Sequence, residues 1–181
     1  MLTRPSAAAP GMSLVELMVV VTIATILMLL AVPSFGRWAQ NSRTRSVAEV
    51  LQNGLRMAQA ESARRSRQVM FTLTDAPQLN AVPSVTGKSW SMQTVPLLGA
   101  EAGEFIQGAA LGNASANVVV TAANAVVIFN SLGRLTGPVS ANTYEITNNA
   151  GDRPLRVTVN LSGQIRMCDP AQTLATSATG C

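Results

Sequence analysis

The sequence predicts an α+β chain: one long N-terminal helix, transmembrane over its first half, packed on an antiparallel β-sheet domain. Three observations predict it. Residues 14–32 form an apolar run interrupted only by Glu16, Thr22 and Thr25. Beyond that run a helical period persists, with Phe35, Trp38, Ala39, Val47, Val50, Leu51, Leu55 and Ala58 recurring at three- and four-residue steps. From Val69 the period becomes two. Val69, Phe71 and Leu73 alternate with Met70, Thr72 and Thr74, the pattern of a half-buried strand.

The apolar run spans 19 residues. As helix that is about 28 Å, close to the hydrocarbon thickness of about 30 Å. The hydroxyls of Thr22 and Thr25 can bond back to helix carbonyls. A cleaved secretory signal is the competing reading, but its apolar core usually holds roughly 7–15 residues and Ala31-Val32-Pro33 is a poor cleavage site. Pro33 removes the hydrogen bond to the Leu29 carbonyl and is expected to kink the helix rather than end it. One helix is therefore expected over 12–67, apolar all round at 12–33 and amphipathic at 34–67. Arg64, Arg65 and Arg67 gather at its expected C-terminus. They suit the helix dipole and free carbonyls there, or else a phosphate or an acidic neighbour.

A β-rich domain is expected over 68–181. Its candidate strands are 69–74, 90–95, 104–110, 117–121, 125–129, 143–147, 155–159 and 164–168. Asp75-Ala76-Pro77, Asn148-Asn149-Ala150-Gly151 and Ser162-Gly163 carry turn chemistry. Residues 108–124 are low in complexity and read as loop at their ends. No internal repeat is evident.

Composition narrows the function. Seven arginines lie between 35 and 67 against Glu49 and Glu61, while residues from Gln68 onward carry five basic and six acidic side chains. The formal charge of +4 thus belongs to the helix. There is no histidine, and Cys168 and Cys181 are the only cysteines. That excludes most zinc and other transition-metal sites, and the Ser-His and Cys-His pairs that activate nucleophiles. No enzyme activity, cofactor or metal is expected.

The head of the apolar run is the most specific motif. Pro10-Gly11 ends a polar leader, and Met12-Ser13-Leu14-Val15-Glu16-Leu17 opens the run. This arrangement resembles the processing site of type IV prepilins and type II secretion pseudopilins, whose leaders end in glycine and whose fifth mature residue is glutamate. The resemblance implies a leader at 1–11, cleavage by a prepilin peptidase between Gly11 and Met12, and N-methylation of Met12. It also implies that Glu16 serves assembly. A carboxylate in low dielectric needs a partner. The freed terminal ammonium of a neighbouring subunit is a natural one. Ser13-Leu14-Val15-Glu16 equally fits a local capping box, with no functional role. The positive-inside count disagrees with an exported domain: Arg4 stands alone before the run, whereas Arg37, Arg43 and Arg45 follow it.

A long N-terminal helix followed by antiparallel strands matches the pilin architecture. Within it, residues 129–134 (Phe-Asn-Ser-Leu-Gly-Arg) and 157–168 look like the GspH/FimT group of minor pilins. The group implies a structural subunit of a type IV pilus or type II secretion pseudopilus. Its partners would be other pilin subunits, the prepilin peptidase and inner-membrane lipid, with a single-pass anchor and a periplasmic domain. Some FimT-like members bind DNA through Gly-Arg-x-Arg. Here the corresponding residues are Gly163-Gln164-Ile165-Arg166, and glutamine cannot neutralise a phosphate. Double-stranded DNA is thus the alternative partner, through Arg134, Arg153, Arg156 and Arg166 with help from Lys88. Asp152 and Asp169 lie close by in sequence. In an oxidising periplasm a Cys168–Cys181 disulfide closing a polar loop would contribute on the order of 3 kcal/mol. Two free or lipid-modified thiols are the other option.

Overall fold

The computed structural model describes residues 12–99, 101–112, 117–137 and 141–181, with the side chains of 30–34 outside that description. The expected leader at 1–11, with Gly11, lies outside it too. The chain divides into two units, Met1–Gly36 and Arg37–Cys181. A single helix, α1 (Leu14–Arg64), contributes to both.

Helix α1 begins after Ser13, whose carbonyl accepts the Leu17 N–H at 3.1 Å. Glu16 in its first turn and Arg64 in its last complement the helix dipole. Pro33 does not end it. The expected end at Arg67 is three residues too late, and the reason is local. Ser66 adopts φ 50°, and Ser66 N–H and Arg67 N–H donate back to the carbonyls of Ala63 and Ser62. These bonds form a Schellman cap with serine in the place usually taken by glycine. Among the described residues no helix is long and apolar enough to cross a membrane.

The strands are β1 (Val69–Thr74), β2 (Ser89–Thr94), β3 (Phe105–Ala110), β4 (Val118–Ala122), β5 (Val126–Phe129), β6 (Leu135–Thr136), β7 (Asn142–Asn148), β8 (Leu155–Val159) and β9 (Ile165–Cys168). They form two antiparallel sheets, ordered β3-β2-β1-β5-β6 and β4-β7-β8-β9. All eight candidate strands are present within about a residue of their expected ends; β6 is the addition.

One ridge of α1 fills the core shared by the two sheets. Thr44, Val47, Ala48, Leu51, Leu55, Ala58 and Ser62 are buried at helical spacing. Small residues set the approach: a Cβ on Gly54 would meet the Trp90 ring at 2.8 Å. Trp90 in turn stacks on Phe71 with centroids 5.6 Å apart. Phe71, Leu73, Trp90 and Met92 line this face of the first sheet.

Strand β1 departs from the half-buried expectation. Thr72 and Thr74, on the other face, are buried as well, as are Ser89, Ser91 and Gln93 of β2. The connection 75–88 covers them. Asn80 N–H donates to Gln93 Oε1, Gln93 Nε2 donates to Asn80 Oδ1, and Pro83 bridges to Thr74. Alternation marks the two faces of a strand, but a loop can bury the polar one if its hydrogen bonds are met.

Two hairpin turns of one design meet at α1. In the first, Asn130 Oδ1 accepts the N–H groups of Leu132 and Arg134, and Gly133 N–H donates to the Asn130 carbonyl. In the second, Asn160 Oδ1 accepts Gln164 N–H, and Gly163 N–H donates to the Asn160 carbonyl. Gly133 and Gly163 have φ 70° and 84°, where a side chain is strained. Gln59 Nε2 donates to both glycine carbonyls, at 2.8 and 2.9 Å. One helix amide thus ties a turn from each sheet. A Cβ on Gly163 would lie 2.0 Å from the Gly133 carbonyl oxygen.

Gly163→Ala is expected to lower the stability of the Arg37–Cys181 unit by about 3 kcal/mol or more, since it combines left-handed strain with that collision. Gln59→Ala is expected to cost about 1–2 kcal/mol by leaving two part-buried carbonyls unpaired. Urea unfolding of the variants checks both the size and the order of these losses.

Candidate functional site

In the first unit every large apolar side chain from Leu14 to Leu29 is more than half exposed, from 51% at Leu17 to 74% at Leu14. Thr22 and Thr25 donate to the carbonyls of Met18 and Val21, both at 2.7 Å, so their polarity is absorbed by the helix. Glu16 is the only charged side chain in this stretch. Among the described residues no side-chain bond joins Glu16 to Ser13, so the capping box does not form. The result is an uncovered apolar cylinder with one carboxylate near its start. Surface of this kind marks a contact with lipid or with other apolar helices.

The arginines expected to meet DNA are dispersed. Arg156 and Arg166 share one face of β8 and β9, since Arg156 is opposite Cys168 and Thr158 opposite Arg166. Arg156 Nε is paired with Glu145, its cross-strand partner on β7. Arg166 Nη2 donates to the carbonyls of Ala178 and Gly180 at 3.2 and 3.0 Å. Arg153 follows the β7–β8 turn, where Asn41 of α1 accepts its N–H and that of Asp152. Asn41 Nδ2 also donates to Asp152, and this bond is the main reason the Asp152 carboxyl sits below its ordinary range, with the Arg153 and Arg37 charges adding to it. Arg134 belongs to the turn that meets Gly163, at the far end of β8 from Arg153. The five residues of β8 separate them by about 17 Å. Lys88 lies before β2, in the other sheet.

The arginines at the end of α1 find acidic neighbours within the chain. Glu61 binds Arg64 and Arg65 at 2.7 and 2.9 Å, and Arg65 continues to Glu104 at 2.7 Å. Arg67 pairs with Glu101 at 2.8 Å and donates to the Val95 carbonyl. The network fastens the helix end to the β2–β3 connection. Hydrogen bonds from Arg64, then Arg65, hold the Glu61 carboxyl at about 2. Arg67 likewise holds Glu101 below its ordinary value.

Cys168 and Cys181 form a disulfide, so the free-thiol alternative falls. Sequence reasoning missed Gln59, Asn41, Asn130 and Asn160. The repeated Asn-x-x-Gly at 130–133 and 160–163 was the available signal. Among the described residues no group of His, Cys, Asp or Glu is placed to hold a metal.

The model of one protein family, described as Type II transport protein GspH, matches residues 47–163. That span begins on the buried ridge of α1 and ends with the second of the paired turns. The chain belongs to the GspH family. Two crystal structures of the type IV minor pilin FimU from Pseudomonas aeruginosa share its fold. One has a TM-score of 0.55 at 17% identity over 75% of this chain and 95% of that one. The other has a TM-score of 0.52 at 17% identity over 71% and 94%. No curated protein sequence matches this GspH-family chain. The chain is thus a GspH-family protein with the fold of a type IV minor pilin.

The acidic network yields a pH prediction. Glu61 has its folded value depressed from 4.5 to about 2, so it stabilises the fold fully above about pH 4.5. That contribution is lost as pH falls toward 2. Urea midpoints measured from pH 7 to pH 2 should fall more steeply below 4.5 in the parent chain than in Glu61→Gln.

Proposed function

We propose that this GspH-family chain is a minor pilin or pseudopilin cut by a prepilin peptidase after Gly11, methylated on Met12, and incorporated into a type IV pilus or type II secretion pseudopilus. Before assembly, residues 12–33 anchor it in the inner membrane and the domain from about 68 onward lies in the periplasm. On incorporation the apolar helix leaves lipid for a bundle of similar helices. The observation that carries this reading is the exposed apolar surface of residues 14–29 with its single carboxylate. At about 25 cal/mol per Å² of apolar area, such a surface is strongly driven out of water. It finds no cover within its own unit.

Glu16 gives the docking its register. In the bundle its carboxylate neutralises the terminal ammonium of an adjacent subunit, and each charge would be costly without the other. A pair of this kind selects one axial position more than it adds stability. The disulfide supports the periplasmic placement against the positive-inside count, since such bonds persist in oxidising compartments. Double-stranded DNA is the less supported partner. Arg156 is neutralised by Glu145, and Arg134, Arg153 and Lys88 lie apart from one another, so the cations that could release counterions are not gathered on one surface.

Glu16→Ala tests the assembly reading. The variant should insert in the membrane at parental level yet be lost from sheared filaments, at least tenfold below the parent by immunoblot. Incorporation at parental level would refute the role of the carboxylate.

A further inference from the structure

We propose that Arg166 is the positioning residue for the Cys168–Cys181 disulfide: it holds the C-terminal segment against β9 while both thiols are free. Hydrophobic burial cannot do this. Leu174, the one large apolar residue of 169–180, is 56% exposed. The segment is instead shaped by polar contacts. Asp169 N–H donates to the Thr179 carbonyl at 2.8 Å, and Cys181 N–H to the carbonyls of Asp169 and Gln172 at 3.2 and 2.9 Å. Arg166 reaches the segment from the strand itself, donating to Ala178 and Gly180.

The placement of those bonds is specific. Arg166 and Cys168 are two residues apart on β9, so their side chains leave the same face of the strand. Gly180 directly precedes Cys181. A guanidinium that grips the Gly180 carbonyl therefore sets Cys181 down beside Cys168. Bonds from a charged donor are the stronger class, and here one guanidinium nitrogen, Nη2, reaches both carbonyls. Arg166 thereby raises the effective concentration of one thiol toward the other. Nη2 is also occupied by the protein, so a phosphate would have to displace the segment to reach that nitrogen.

The test uses the full chain in detergent, reduced and then equilibrated with mixtures of glutathione and glutathione disulfide. Closure oxidises the two thiols to the disulfide and reduces one glutathione disulfide to two glutathione thiols. Trapping with an alkylating reagent and weighing the products gives the closure constant. Arg166→Gln should lower it about tenfold relative to the parent; an unchanged constant overturns the proposal. A second measurement leaves Arg166 intact. In Cys181→Ser, where no disulfide can form, the Asp169 amide should remain protected from hydrogen exchange, and adding Arg166→Gln should abolish that protection. Equal exchange with and without Arg166 would also overturn it.

Discussion

Glu16 carries the only charge on an apolar helical surface that its own unit leaves uncovered, and the rest of the chain follows from that constraint. Apolar side chains exposed by half or more are unstable in water, while a lone carboxylate is unstable in lipid. Neither solvent suits the segment. In the proposed assembly a bundle of like helices would suit both parts of it, with the apolar faces covering one another and the charge meeting an ammonium. On the proposed reading, assembly follows from composition, and peptide cleavage and N-methylation are the only chemistry the chain undergoes.

In the unit from Arg37 onward, polar ties hold the fold together where the apolar core ends. Gln59 binds a turn from each sheet, Asn41 holds the β7–β8 turn, and the Glu61 network holds the β2–β3 connection. These ties lie at successive places along the helical part of this unit. Each joins the helix to a loop, where packing alone gives little hold. The disulfide adds a fourth closure at the C-terminus.

Much of this was legible. The change of period at Val69 placed the boundary between helix and strands, and the alternating patterns located eight strands. The cysteine pair was picked out by residue type alone. What escaped depended on pairing between distant segments. Nothing near Arg156 announces Glu145 as its partner, because that contact exists only in the β7–β8 register. The division into two sheets was hidden for the same reason. Strand β6 has two residues and no alternation to display. Gln59 carries no signal of its own in the sequence, and its role appears only when Gly133 and Gly163 are brought to it. The helix end was misplaced because Ser66, not glycine, takes the left-handed position.

The mass of the native polypeptide tests the central claim most directly. A subunit whose carboxylate meets a neighbour's ammonium must first acquire that ammonium at Met12. The account predicts a chain purified from its own membrane that begins at Met12 and carries one added methyl group. A native chain that still begins at Met1 would contradict it.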